Sequence, residues 1–226
     1  MPSVTQDQLE ALRQMQSCTI ANAIETFDVR PRDQGFMSPE VRCMFPDMDG
    51  MIGYAVTAVI AAKEPPTSRM NVPRPDWFDE VLKVPEPRVL VMHDLDSPNP
   101  VGSFWGEVQS NIHKALGCVG TVTDGGVRDI DEMREVGFLA FAAEVLVSHA
   151  YIHLVDVNVP VTVGGLKVSP GDIIMGDKHG VINIPKEVAG QIPAAATAVE
   201  ARERAIIDLC RSSQFSLDKL KALIAG

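Results

Sequence analysis

The chain is poor in several features that define large protein classes. Only 5% of its 226 residues are aromatic, so the core must be built mainly from aliphatic side chains. Its 20 Lys and Arg residues are outnumbered by 30 Asp and Glu residues, which gives a net charge of -10. This charge argues against a nucleic-acid partner, because such proteins displace counterions with a basic surface. No apolar run reaches the roughly 20 residues of a membrane span, so we expect no membrane partner either.

Cysteine pairs and several well-known motifs are also missing. The four cysteines form no Cys-x-x-Cys spacing, and a chain of this length does not depend on disulfides, so we expect reduced cysteines in a cytosolic protein. The sequence contains no Gly-x-Gly-x-x-Gly, Walker-type loop, Gly-x-Ser-x-Gly or His-Glu-x-x-His. Nucleotide cofactors and serine-hydrolase chemistry are therefore poorly supported, whereas the acidic surface leaves open a basic protein partner.

The hydrophobic pattern predicts a single mixed α/β domain over residues 1–226. Apolar residues at helical spacing predict an N-terminal helix over 6–26. Strand and helix patterns alternate over 51–142, which predicts βαβ units and a partly parallel sheet. Short β-branched segments separated by turn residues over 145–184 are typical of antiparallel strands. Residues 186–224 are predicted to form the C-terminal helices.

The most informative stretch is residues 123–129, TDGGVRD, which follows an apolar strand-like segment. Its two glycines let the backbone approach a ligand closely. Arg128 presents a planar fork suited to a carboxylate or a keto oxygen. The neighbouring Asp129 carboxylate can hold Mg²⁺ or Mn²⁺, which prefer oxygen ligands. The pair could therefore hold an anionic ligand and a divalent metal at one point.

Structural interpretations compete with these functional ones. Asp129 and Glu132 have the spacing of a capping box, and the local sequence alone favours capping. Gly106 and Glu107 begin a predicted helix whose free N–H groups could bind an anion, but an acidic first turn is also favoured by the helix macrodipole. Asp124 either lines the site or shapes the turn that follows it.

Two pairs of side chains on other segments have simpler explanations. His149 and His153 are four residues apart and could ligate zinc, but structural or surface histidines are favoured because no carboxylate pattern accompanies them. Glu200 and Glu203 lie on the predicted C-terminal helix, where a solvated face is the default interpretation.

Several segments together resemble the RraA-like family, whose members include 4-hydroxy-4-methyl-2-oxoglutarate aldolases. The resemblance is strongest in residues 121–129 and the following Gly137-Phe138, and it extends from about Thr19 to Glu203. It implies an α-β-β-α sandwich related to swivelling phosphohistidine-type domains. It also implies a homotrimer or hexamer with active sites between subunits.

The spacing of the acidic residues resembles the aldolase motif of this family. Twenty residues separate Glu107 from Arg128-Asp129, as in the motif of an acidic residue followed by x20-Arg-Asp. The resemblance implies a class II aldolase, which uses a divalent metal (Mg²⁺ or Mn²⁺) rather than a lysine Schiff base and releases pyruvate from 4-hydroxy-2-oxo acids. Oxaloacetate decarboxylation would use the same site. By position, Asp129 would be the direct metal ligand, and Arg128 would hold the pyruvyl oxygens.

The remaining roles come from the resemblance in the same way. The helix start at Gly106, with the N–H groups around Val108 and Gln109, would receive the substrate carboxylate. Glu107 would bind the metal through water. A neighbouring subunit would add an acidic residue from its last helix, for which Glu203 is the candidate.

The chain departs from the minimal family pattern in its loops, which leaves the substrate open. The Pro-rich segments 29–49 and 64–87, and the segment 94–104, are longer than that pattern. They lie where substrate-specific loops are expected. Because the family also includes inhibitors of ribonuclease E, the alternative is a non-catalytic regulator that binds ribonuclease E or another basic protein.

Overall fold

The computed structural model describes residues 4–225, so residues 1–3 and 226 of the predicted domain lie outside the described range. The helices are α1 (Gln6–Arg13), α2 (Ser17–Glu25), α3 (Arg74–Leu82), α4 (Glu107–Ala115), α5 (Ile130–Val136), α6 (Ile192–Arg211) and α7 (Leu217–Ala225). The strands are β1 (Arg42–Cys43), β2 (Met51–Ala61), β3 (Arg88–Asp94), β4 (Ser103–Trp105), β5 (Cys118–Thr123), β6 (Gly126–Val127), β7 (Leu139–Ala142), β8 (Glu144–Val145), β9 (His153–Val157), β10 (Val161–Val163), β11 (Leu166–Val168), β12 (Ile173–Asp177) and β13 (Gly180–Ile184).

The main sheet has the order β1-β7-β5-β3-β2-β12-β13, and β9 also pairs with β2. The neighbours β2, β3, β5 and β7 run parallel, as the alternating sequence pattern predicts. Their crossover connections contain α3, α4 and α5 in turn. These strands are almost continuously buried, because helices or other strands cover both of their faces. The mixed α/β class is therefore confirmed.

The sheet nearly closes on itself. The antiparallel hairpin β12–β13 joins β2, and β13 bridges to Phe36 in the segment that leads to β1 at the opposite edge. The Met37 N–H donates to the carbonyl oxygen of Val181 at 3.0 Å, and the Asn183 N–H donates to that of Gly35 at 2.8 Å. The long segment 29–49 thus covers a strand edge that would otherwise be exposed. The likeness to swivelling phosphohistidine-type domains stays a prediction.

Two hydrophobic clusters hold the helices against the strands. One contains Trp77 and Met133 and lies beneath α3, α4 and α5. The other contains Leu12, Ile20 and Ile192 and lies beneath α1, α2 and α6. No helix within residues 4–225 is long and apolar enough to cross a membrane.

The structure corrects the predicted helix boundaries at both ends. The helix predicted over 6–26 is divided, because Gln16 is extended and the N–H and hydroxyl of Ser17 both donate to the Asp177 carboxylate at 2.7 Å. The buried Asp177 carboxylate on β12 therefore accepts hydrogen bonds from Ser17, the first residue of α2. At the other end, α6 begins at Ile192 rather than near residue 186. Pro193 lies in its first turn, where a missing N–H costs nothing.

Candidate active site

A small parallel sheet brings the two halves of the predicted motif together. β4 pairs in parallel with β6, and the Arg128 N–H donates to the carbonyl oxygen of Trp105 at 3.0 Å. The chain therefore leaves both strands at the same edge, with Gly106-Glu107 beside Arg128-Asp129. Parallel neighbours need a crossover connection of a dozen or more residues. Residues 106–125, which contain α4 and β5, are that connection, and it sets the spacing of twenty residues between Glu107 and Arg128.

Asp129 adopts a left-handed backbone conformation, with φ 51° and ψ 51°, and its side chain makes no capping hydrogen bond to α5. Instead, its Oδ2 accepts a hydrogen bond from the Glu107 N–H at 3.1 Å and lies 3.6 Å from Nε of Arg128. The capping interpretation is therefore wrong. A non-glycine residue in this region costs about 1–2 kcal/mol, although aspartate tolerates it better than most. Such strain is typical of functional positions.

Gly106 permits the close approach of these groups. A Cβ at this position would lie 2.5 Å from Oδ2 of Asp129 and 3.1 Å from Cγ of Arg128. Gly106 also provides no side-chain cap for α4. The first-turn N–H groups of Val108 and Gln109 have no intrahelical acceptor, so they form a ready anion site at the positive end of the helix.

These groups share the wall of one cavity of about 480 Å³. The wall includes Gly106, Val108, Gln109, Arg128 and Asp129. The Arg128 and Asp129 side chains are 36% and 34% exposed, so they are partly shielded but reachable. The exposed side chain of Glu107 is not on the wall, and this residue contributes its N–H to Asp129.

A larger cavity of about 670 Å³ lies beneath α1 at the opposite ends of the parallel strands. There Arg13 is already paired with Glu10, and the Lys114 ammonium donates to the carbonyl oxygen of Gly137. We place the site in the smaller cavity because it holds the Arg-Asp pair and the N–H groups at the start of α4.

The match that decides the family covers most of the chain. A sequence profile of the RraA-like family, described as Aldolase/RraA, matches residues 17–183. The chain belongs to the RraA-like family.

Relatives in this family carry two kinds of name. A protein of Halalkalibacterium halodurans, provisionally named a 4-hydroxy-4-methyl-2-oxoglutarate aldolase, is 33% identical over 51% of this chain and 57% of its own length. A 4-hydroxy-4-methyl-2-oxoglutarate aldolase of Thermus thermophilus is 40% identical over 33% of this chain and 46% of its own. The chain spans about half the length of these curated relatives.

The second kind of name comes from a solved structure. Streptomyces coelicolor RraAS2, described as an unusual member of the RNase ES inhibitor RraA protein family, has a TM-score of 0.70 at 22% identity. The alignment covers 90% of this chain and 97% of that one. At this identity the likeness shows a shared fold.

The long segment 64–87 of this RraA-like chain reaches the cavity. Arg74, at the start of α3, lies on the wall, as do Tyr151 and His149. Sequence reasoning missed Arg74 and Tyr151. The signal that could have indicated Arg74 was the unusual length of this segment, which already suggested a substrate-specific loop.

A buried histidine joins α3 to α4 behind the cavity. His113 is fully buried, and its Nε2 accepts a hydrogen bond from the indole N–H of Trp77 at 2.8 Å. Because indole can only donate, the proton of the neutral ring lies on Nδ1, which donates to the carbonyl oxygen of Gln109 at 2.8 Å. Burial lowers the pKa of His113 to about 4, so the ring is neutral at pH 7. Aromatic rings surround it: Trp77, Phe78, Phe104 and Trp105.

Two predicted acidic residues lie elsewhere. Glu203, on α6, accepts a hydrogen bond from the Asn22 amide at 3.1 Å and lines a different cavity. Its role in a neighbouring subunit's site stays a prediction. Asp124 accepts the Asp94 N–H at 2.8 Å and contacts Nδ1 of His93 at 2.7 Å, so it joins the ends of β3 and β5. This hydrogen bond raises the pKa of His93.

His149 and His153 make local backbone contacts. Nδ1 of His149 contacts the carbonyl oxygen of Ala150, and Nδ1 of His153 contacts that of Tyr151. Within residues 4–225, no three His, Cys, Asp or Glu side chains come together as a metal cluster. The four cysteines are free thiols.

The donor set at Asp129 suits a hydrated divalent cation. Mg²⁺ is commonly bound through one or two carboxylates and keeps several waters, whereas structural zinc needs four protein ligands. Asp129 offers one partly exposed carboxylate, and the exposed Glu107 carboxylate belongs to the adjoining helix start. The residues present therefore fit Mg²⁺ or Mn²⁺ and do not fit a closed zinc site.

Proposed function

We propose that this chain is a divalent-metal-dependent carbon–carbon lyase. It would cleave 4-hydroxy-2-oxo acids of the 4-hydroxy-4-methyl-2-oxoglutarate type to release pyruvate, and it would also decarboxylate oxaloacetate. The observation that carries this proposal is the convergence of the Asp129 carboxylate, the Arg128 guanidinium and the first-turn N–H groups of α4 on one cavity. Family membership and relatives named as aldolases support it.

The α4 start would bind the carboxylate of the substrate. The free N–H groups of Val108 and Gln109 point from the positive end of a nine-residue helix, and the buried His113 holds this turn in place. A carboxylate bound there would place the adjacent 2-keto group near Arg128. This arrangement fixes which end of the substrate reacts.

Arg128 would then stabilise the charge that the reaction creates. When the bond between C3 and C4 breaks, its electron pair moves into the 2-keto group, and negative charge grows on the keto oxygen. The guanidinium fork provides fixed donors for that oxygen in a partly shielded cavity. Oxaloacetate decarboxylation moves an electron pair into the same group, so the same donors serve both reactions.

Asp129 and Glu107 would complete the site. A divalent cation held by Asp129 would supply Lewis-acid polarisation of the keto oxygen. The 4-hydroxyl must lose its proton as the bond breaks, and the role of Glu107 would be to order the water that receives it. We extend the proposal to a homotrimer or hexamer in which a neighbouring subunit, through Glu203, covers the open side of the cavity.

Pyruvate release tests this function directly. The purified protein would be incubated with Mg²⁺ or Mn²⁺ and either 4-hydroxy-4-methyl-2-oxoglutarate or oxaloacetate. Pyruvate should appear with both, and Asp129→Ala should abolish its release without changing the oligomeric state. If no divalent cation raised pyruvate release above background, the proposal would be wrong.

A second candidate function is a regulator that binds a basic protein segment. The family description of the Streptomyces RraAS2 structure and the net charge of -10 favour it. Binding to basic segments of ribonuclease E, measured across a salt titration, would support this function if affinity fell as salt rose. Asp129→Ala should leave such binding unchanged, whereas it should abolish lyase activity.

A further inference from the structure

The side chain of Gln109 has no role in the steps above, yet it lies on the cavity wall. The residue is only 7% exposed, and its Oε1 is buried with no hydrogen-bond partner among residues 4–225. A buried polar atom without a partner destabilises the folded state, and native proteins leave few of them. This oxygen therefore needs an explanation beyond packing.

The surrounding helix holds Gln109 firmly beside the reacting groups. Its backbone lies in the first turn of α4, and its carbonyl oxygen accepts the Nδ1–H of His113 at 2.8 Å. Arg128 and Asp129 are on the same wall. The side chain is thus fixed at its base, while its terminal amide torsion is broad and can turn the oxygen toward the cavity.

The chemistry of the wall is complementary. The first-turn N–H groups and Arg128 are donors, so they suit the carboxylate and keto oxygens of a 2-oxo acid. An amide oxygen is an acceptor, so only a donor such as a hydroxyl group or a water molecule can satisfy it. We propose that Gln109 is a specificity-determining residue whose amide oxygen accepts a hydrogen bond from the ordered water that receives the proton of the substrate hydroxyl. This inference rests on the proposed lyase function and makes the site favour hydroxylated 2-oxo acids.

The test compares a substrate that has the hydroxyl with one that lacks it. For Gln109→Met, which keeps length but removes the acceptor, kcat/KM for 4-hydroxy-4-methyl-2-oxoglutarate should fall about tenfold. The value for oxaloacetate should change by less than about twofold, because that substrate has no hydroxyl proton to lose. The Tm should not fall, since an unpartnered buried polar group has been removed. Equal losses on both substrates, or no loss on either, would overturn the inference.

Gln109→Glu provides the matched control. It keeps an acceptor at the same length, and its added charge repels both anionic substrates alike. The ratio of the two kcat/KM values should therefore stay near that of the wild type, although both values fall. A ratio that moved as far as in Gln109→Met would contradict the acceptor role.

Binding separates a failure of this inference from a failure of the proposed function. If the wild type releases pyruvate from neither compound, the lyase proposal fails. Calorimetry with Mg²⁺ then compares 4-hydroxy-2-oxoglutarate with 2-oxoglutarate, which differ by one hydroxyl. The wild type should bind the hydroxylated acid about tenfold more tightly, and Gln109→Met should bind both equally. Equal binding by the wild type, or no binding of either acid, would overturn the inference.

Discussion

Gly106→Ala perturbs the candidate site mainly through one very short contact. The backbone at Gly106 is extended, with φ -173°, so alanine adopts it without strain. The new methyl group, however, would lie 2.5 Å from Oδ2 of Asp129. Ordinary van der Waals contact begins at 3.4 Å, so the carboxylate must retreat by about 1 Å. That movement lengthens its hydrogen bond to the Glu107 N–H and shifts it relative to Arg128.

The expected loss is large for activity and small for stability. A misplacement of about 1 Å at reacting groups can cost about 100-fold in rate, so kcat/KM for pyruvate release should fall by about that factor. Alanine is a poorer residue than glycine at a helix N-cap, which lowers the free energy of unfolding by up to about 1 kcal/mol. The smaller conformational entropy of the unfolded alanine chain partly offsets this cost.

A coupled assay for pyruvate, with urea unfolding of the same preparations, measures both quantities. Val147→Ala is the control, because that side chain is 97% exposed and does not line the site cavity. The control should retain wild-type activity. If Gly106→Ala kept full activity, the close approach of Asp129 to Gly106 would not matter for function. If it unfolded the protein, the activity loss would have another cause.

The hydrogen bonds and buried charges lead to three further predictions. Asp129→Asn should reduce pyruvate release by at least about 100-fold. It should change the free energy of unfolding by less than about 0.5 kcal/mol, because the side chain does not cap α5 and asparagine tolerates φ 51°. A loss of stability typical of a removed helix cap, measured by urea unfolding, would contradict this prediction. Ser17→Ala removes one of three hydrogen-bond donors to the buried Asp177 carboxylate and should cost roughly 1–2 kcal/mol by urea unfolding. An unchanged midpoint would show that α2 does not depend on this contact. Burial raises the pKa of Asp94 to about 6 and lowers that of His113 to about 4. As pH falls from 6.5 to 4, the unfolded chain protonates His113 and stability is lost. As pH falls from about 6 to 3.8, the folded chain protonates Asp94 and stability is gained, so the two trends oppose each other. Asp94→Asn should remove the gain in stability that comes from protonating Asp94. The free energy of unfolding of the variant should then fall more steeply between pH 6.5 and 4, by at most about 3 kcal/mol relative to wild type. Parallel pH profiles of the variant and the wild type would refute the raised pKa of Asp94.

The fold explains why twenty residues separate Glu107 from Arg128. A parallel pair needs a connection that leaves one strand, returns through a helix, and enters the next strand from the same end. Such a connection takes a dozen or more residues, usually with a helix. The site residues near its two ends were named from the resemblance to the family motif, and the pairing of β4 with β6 gives the physical reason for their spacing.

The geometry of Asp129 could not be predicted, because aspartate is common both at helix caps and in left-handed conformations. The local sequence therefore does not distinguish a capping aspartate from one in a left-handed conformation. The choice depends on the Glu107 N–H, which the chain brings close only when β4 and β6 pair. The position of Arg74 could not be predicted either. The hydrogen bond between Trp77 and His113 holds α3 against α4, which places Arg74 at the cavity.

The sequence by itself determined the alternation of strands and helices, the acidic surface and the spacing of the site residues. The first follows from local periodicity, the second from composition, and the third from the positions of the residues along the chain. Only the tertiary structure decided where the N-terminal helix breaks, which helix start the Asp129 carboxylate serves, and which loop reaches the cavity. Those choices depend on partners far along the chain, such as Asp177 for Ser17, and a buried hydrogen bond to such a partner outweighs a local preference of a few tenths of a kcal/mol.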